Sequence, residues 1–250
     1  MRTTHPFVLA GAMILGAASS GAAFPQPADE PPVAPFAAHY TADWRGINVG
    51  TSDLELKADS APGNYVYTWT MAARGVFRIV YSNDVIQKSW FSVVRSHVRP
   101  DKYRAQDGAS TASIDFDWDA GRARGESEKK PVDLKLDQGA QDVMSIQVEV
   151  MLDLEHGDLP TTFRILDKDE IKDFEYTQEG NARLRTALGE LDTVIVSSRH
   201  VGSNRVLRMW FAPSQGFVPV LAERSRDGKV EFTMKIKTLN APRTPAAPAA

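Results

Sequence analysis

The chain has 250 residues, no cysteine, and 29 basic against 32 acidic side chains, a formal charge of −3 at pH 7. Zero cysteine excludes a disulfide framework, a thiolate metal site and a cysteine nucleophile. The slightly acidic balance argues against holding nucleic acid or an anionic membrane by bulk electrostatics, and the length suits one domain with a sizeable core.

Residues 1–23 read as an export signal. Arg2 gives a short cationic start, Phe7 to Ala18 a compact apolar run, and Ser19, Ser20, Gly21, Ala22 and Ala23 a small-residue cleavage site, expected near Ala23. The apolar run is too short to span a bilayer, and no transmembrane segment is expected later in the chain. No cysteine follows it, so lipoprotein acylation is not expected. Cleavage would remove Arg2 and no acid, leaving 28 basic against 32 acidic side chains. The expected location is the periplasm.

Phe24–Pro35 carries Pro25, Pro27, Pro31, Pro32 and Pro35 and reads as an extended linker. At the other end, 241–250 is rich in Ala and Pro and is expected to be a disordered tail. Between them, 36–240 reads as a single domain.

Within it, alternation with a period of two recurs. Leu54 and Leu56 alternate with Asp53, Glu55 and Lys57. Tyr65, Tyr67, Trp69 and Met71 share one face, with Val66, Thr68 and Thr70 on the other. Val85–Val94 is rich in β-branched and aromatic residues, and Ile114, Phe116 and Trp118 oppose Ser113, Asp115 and Asp117. The pattern then breaks. From about Ala140 to Leu154, Val143, Ile146 and Val150 follow helical spacing, Met144, Val148 and Met151 widen the stripe, and Gly157 is a stop signal. Strand patterns resume at Thr161–Leu166, Ile171–Thr177, Asp192–Arg199, Val206–Phe211 and Phe217–Glu223. The last strand interleaves Val230, Phe232, Met234 and Ile236 with polar residues, and Asp227-Gly228 before it is a hairpin signal. The expected fold is mainly β: a long curved antiparallel sheet, half-barrel or clam-like, with one principal α-helix packed against it.

No nucleophile elbow, phosphate loop, dinucleotide fingerprint or zinc-protease motif occurs. His39, His97, His156 and His200 stand singly, so no metal ligand, cofactor or catalytic residue is assigned. Asp115, Asp117, Asp119 and Glu126 match part of a calcium-loop count. Ala120 stands where such a loop needs glycine, and a strand ending in a turn explains these residues better.

Several phrases taken together resemble a known family. They are Tyr40-x-Ala-Asp-Trp44-x-Gly46 with Gly50, Arg99-Pro-x-Lys-Tyr103, Asp115-Phe-Asp-Trp118, Asp142-x-Met-Ser145, Leu188-Gly-x-Leu-Asp-Thr-Val194, and Trp210-Phe-Ala-Pro213 leading to Phe217-Val-Pro-Val220. In that order they resemble an exported bacterial domain-of-unknown-function family, DUF 3108, over Ala38 to Leu239. The resemblance implies an antiparallel, mostly β periplasmic protein and transfers no catalytic residue. Its fold looks similar to the half-barrel-plus-helix shape of periplasmic lipoprotein carriers. The phrases also suit structural roles: Gly46, Gly50 and Gly189 in turns, and Asp142 and Ser145 at the start of the helix.

The leading expectation is a non-enzymatic protein binding a lipid or other apolar or amphipathic envelope ligand, or an envelope protein, in a groove between sheet and helix. Trp69, Phe116, Trp118 and Trp210, with Met144, Val148 and Met151 of the helix, are the expected lining. Two alternatives stand beside it: a hydrolase or lyase acting on envelope polysaccharide through an acid pair, and a structural interaction module whose face is filled by its own side chains.

Overall fold

The computed structural model describes residues 32–80, 82–108 and 110–241. The export signal, most of the Pro-rich linker and all but the first residue of the expected tail lie outside them. No helix among the described residues is long and apolar enough to cross a membrane.

Among the described residues, fifteen strands form one open sheet. In chain order these are β1 (Phe36–Trp44), β2 (Ile47–Ala58), β3 (Asn64–Ala73), β4 (Val85–Val94), β5 (His97–Asp107), β6 (Ser110–Asp117), β7 (Arg122–Ser127) and β8 (Lys130–Lys135). They continue as β9 (Gln141–Asp142), β10 (Thr162–Asp167), β11 (Glu170–Thr186), β12 (Gly189–His200), β13 (Arg205–Ala212), β14 (Val218–Arg226) and β15 (Lys229–Asn240). A short helix α1 (Phe77–Val80) interrupts the β3–β4 connection, and α2 (Ser145–His156) follows β9.

The chain lays β2 to β8 outward from β1 as successive hairpins. It then passes through β9 and α2 and returns by hairpins from β10 to β15, which pairs with the far side of β1. All neighbours are antiparallel except β9 and β10, whose parallel pairing is bridged by α2 because parallel strands need a crossover. The edges β8 and β9 do not pair. The turns beside them nevertheless meet: Lys168 lies 3.0 Å from Glu128, and Lys130 lies 3.6 Å from Asp169. The sheet therefore bends far enough to bring the two ends of its strand order together without closing.

One face of this sheet holds the core. Alternation in β1 buries Phe36, Ala38, Tyr40 and Ala42, and in β3 it buries Tyr65 and Tyr67. The Tyr65 and Phe91 rings stack at 5.6 Å, and the Tyr40 hydroxyl donates to the Pro219 carbonyl at 2.7 Å across the β1–β15–β14 seam. Val33, the last part of the expected linker, is also buried, its N–H bonded to the Tyr65 hydroxyl.

The helix starts later than the periodicity predicts, at Ser145, because Gln141 and Asp142 are drawn into the parallel pairing with Ile165 and Leu166. The Asp142 carboxylate accepts the Met144 and Ser145 N–H groups at 2.8 Å, satisfying donors that open the helix. Gly157 ends it in the left-handed conformation, φ 73°. Gly50 departs from its expected turn role. It lies inside β2 opposite Ala42, where a Cβ would fall 2.1 Å from the Ala72 carbonyl oxygen. Glycine is required there by close backbone approach. The Asp227-Gly228 hairpin joins β14 to β15 with both residues at positive φ. Asp115 and Asp117 lie on exposed positions of β6, with Asp115 paired to Arg104 and Asp117 accepting the Ala120 N–H.

Candidate functional site

The helix decides where the site lies. Its 12 residues span about 18 Å, whereas a strand of ten residues such as β3 spans about 33 Å. The helix covers Tyr67, whose hydroxyl receives the Gln147 side-chain amide. Further along the same face of β3, Trp69 and Met71 are only half-buried. They floor an open groove of about 730 Å³ with Trp44, Val85 and Phe232. Phe77 of α1, Ser82 and Asn83 close one side, and the β5–β6 turn at Asp107 and Gly108 closes another.

The groove wall is mainly apolar, and its polar groups are few. The Trp69 indole N–H donates to the Ser52 hydroxyl at 2.6 Å, which fixes the ring against β2. Arg224 stands at the mouth with its guanidinium 5.9 Å from the Trp44 ring centroid and 5.6 Å from that of Phe232. It makes no ion pair among the described residues, so its charge faces the open space between two rings. Among the described residues Asp107 is the one carboxylate in the lining, so they assemble no acid pair there. Exposed apolar side chains flank this end of the sheet: Ile47 beside Trp44, and Val76 and Ile79 either side of Phe77, with relative exposures of 60%, 71% and 84%.

Of the seven residues nominated from sequence, Trp69 alone lines the groove. Met144, Val148 and Met151 are buried in the core under the sheet. Phe116 is buried and stacks with Trp118 at 6.3 Å; the Trp118 N–H donates to the Pro100 carbonyl, and Arg99 lies over its ring. Trp210 alternates with the buried Met209 and Phe211 and packs from the core's edge. Sequence reasoning passed over Phe232 and Arg224 as groove residues. Phe232 carried a signal, being on the same alternating face as Met234, but the partner across the β14–β15 hairpin could not be read without the register.

A second cluster forms at the opposite end of the sheet, where β5 begins. His97 Nδ1 lies 2.8 Å from Glu149 Oε1, and the Asp153 carboxylate stands one helical turn on, the three groups' ligand atoms all within 4.8 Å of one another. Glu149 and Asp153 are buried, at 6% and 5% exposure. The Val98 N–H donates to Glu149 Oε2, while Asp153 Oδ2 is buried without a hydrogen-bond partner among the described residues. Burial, with the neighbouring Glu149 charge, pushes the Asp153 carboxyl up to about 7. The i, i+4 spacing of the two acids was visible in the sequence; their meeting with a histidine some fifty residues earlier was not.

The model of a family described as "protein of unknown function (DUF3108)" matches residues 39–235. The chain belongs to the DUF3108 family. None of the curated proteins matches it. Among solved structures it is similar to the crystal structure of MucB, with 11% identity and a TM-score of 0.35 over 85% of this chain and 55% of that one. It is also similar to the complex structure of Pseudomonas aeruginosa MucA/MucB, at 13% identity and TM-score 0.36 over 85% and 53%. The chain thus spans about half the length of those two chains. A protein from Bacteroides fragilis described as exported and of YmcC-like fold matches at 7% identity and TM-score 0.32 over 82% and 95%.

Proposed function

We propose that this DUF3108 protein is an exported, periplasmic binding protein that holds an apolar or amphipathic envelope molecule in the groove at the uncovered end of its sheet. A single observation carries the reading. The face that buries Tyr65 and Tyr67 runs on through Trp69 and Met71 into open space that no side chain among the described residues fills. An apolar chain laid there would bury rings that otherwise face water, at about 25 cal/mol for each Å² covered. The Arg224 guanidinium at the mouth suits an acidic group on the same molecule. A sheet curved as a half-barrel gives such a ligand a concave bed, and residues 1–23 supply the route to the compartment where it is found.

The test is thermal unfolding of the mature protein with a panel of envelope lipids and fatty acids. A ligand that binds only the folded state raises the melting temperature in proportion to its concentration. Acidic amphiphiles should raise it most, and Arg224→Gln should reduce that preference. A panel without effect on the wild type contradicts the reading.

A second reading is a protein partner seated over the same mouth, favoured by exposed Ile47, Val76 and Ile79. It predicts that Ile79→Asp abolishes partner capture while leaving small-ligand binding intact.

A further inference from the structure

We propose that His97, Glu149 and Asp153 form a binding site for one divalent transition-metal ion, remote from the groove and independent of what the groove holds.

The site is built from two rigid elements. Glu149 and Asp153 stand one turn apart on α2, and His97 opens β5, the strand against which that helix packs. The backbone N–H of Val98 holds Glu149 Oε2, which leaves Oε1 turned toward the His97 ring 2.8 Å away. Backbone support of this kind orients a ligating carboxylate.

Asp153 points to a ligand independently of the clustering. Its side chain is nine-tenths buried at 5% exposure, and its Oδ2 accepts no hydrogen bond from any of the described residues. Buried carboxylate oxygens are ordinarily satisfied, and leaving one bare is unfavourable. Among the described residues, neither acid is paired with a lysine or arginine, and the His97 imidazole is the one neighbouring base. Two carboxylates therefore share a buried spot with one imidazole as their neighbouring base. A divalent cation would neutralise both.

The donor set selects the kind of ion. One imidazole nitrogen with two carboxylates suits zinc, manganese, iron or cobalt, whereas calcium needs six or more oxygens and magnesium keeps mostly water. Donors on a tetrahedral zinc stand about 3.4 Å apart, given ligand distances near 2.1 Å. The His97–Glu149 separation is already within that, and the three ligand atoms, all within 4.8 Å of one another, need to close by no more than about 1.4 Å. The His97 side chain, 69% exposed, is free to make that adjustment and leaves the outer coordination positions to water.

The experiment uses the full mature chain, stripped with a chelator and titrated with zinc chloride by calorimetry, with thermal unfolding measured in parallel. The proposal expects one equivalent bound and a raised melting temperature. Asp153→Asn should lose at least tenfold in zinc affinity while its metal-free melting temperature stays at or above that of the wild type, because the change removes a buried unpaired charge. His97→Ala, at an exposed position whose loss takes one partner from Glu149 and leaves the Val98 N–H on it, should lose a similar factor. The proposal is overturned if the wild type binds no zinc, or if both variants bind as the wild type does, which would place the metal on other side chains.

Discussion

The Ser89 hydroxyl donates a 2.6 Å hydrogen bond to the Asp142 carboxylate, and neither residue is exposed at all. The pair ties the middle of β4 to the residue that opens the passage into α2. Asp142 in turn accepts the Met144 and Ser145 amides, Ser145 Oγ bonds to Gln141, and Gln141 donates to the Val98 carbonyl. A polar knot thus pins the helix start over β4 and β5 and so fixes which end of the sheet is covered. Ser89→Ala takes one donor from a buried carboxylate and should lower unfolding stability by about 1–3 kcal/mol. Urea denaturation checks this, and a loss under roughly 0.5 kcal/mol would show the knot to be dispensable.

The same knot makes stability depend on pH. Burial pushes the Asp142 carboxyl up to about 6, against the opposing pull of Ser89, Met144 and Ser145, and Tyr103 lies close enough to feel its charge. A folded pKa above the unfolded one means the fold prefers the protonated acid. That contribution is complete below about pH 4 and is lost as pH rises through about 6, with a full span near 3 kcal/mol. Asp142→Asn cannot titrate and can still accept both amides through its oxygen. Urea midpoints should therefore fall between pH 4 and 7 more steeply in the wild type than in this variant. Equal slopes would contradict the assignment.

Gly50 and Gly46 separate two reasons for glycine four residues apart. Gly46 needs only its backbone freedom, at φ 83° with nothing near an added Cβ, so Gly46→Ala should cost about 1 kcal/mol. Gly50→Ala would drive a methyl to 2.1 Å from the Ala72 carbonyl and must part β2 from β3 at the floor of the groove. Its loss should exceed that of Gly46→Ala by at least 2 kcal/mol, in line with severe overpacking. Thermal unfolding of the two variants side by side tests the order.

Much of the fold was legible because most strands are wet on one side, and a half-wet strand writes its period into the sequence. Tyr65, Tyr67, Trp69 and Met71 announced a shared face in this way. What the alternation could not say was where cover ends along that face, since this depends on the length of α2 and on the knot that positions it. Trp69 therefore lies on the groove floor as its alternation suggests, Phe232 joins it from β15, and Phe116 and Met144 lie buried in the core. The start of the helix was misplaced because Gln141 and Asp142 carry helix-compatible side chains yet satisfy their backbone through a parallel strand. Pairings across long separations, such as β1 with β15 or His97 with Glu149, leave no local trace.

Groove and core aromatics should respond differently to truncation. Trp69→Leu removes a half-buried ring and should cost less than about 2 kcal/mol, while Tyr67→Leu strips a fully buried ring and its hydroxyl contact and should cost about 3 kcal/mol or more. Equilibrium unfolding in urea distinguishes them. Similar losses would mean that the groove face is packed like the core.

That the groove holds an envelope molecule is a claim native mass spectrometry of the mature protein, purified gently from periplasm, can read as a mass. Compared with the denatured mass, the wild type should retain a lipid-sized adduct at mild activation, and Trp69→Leu combined with Arg224→Gln should lose it. A bare protein mass for the wild type under the same conditions would contradict the claim.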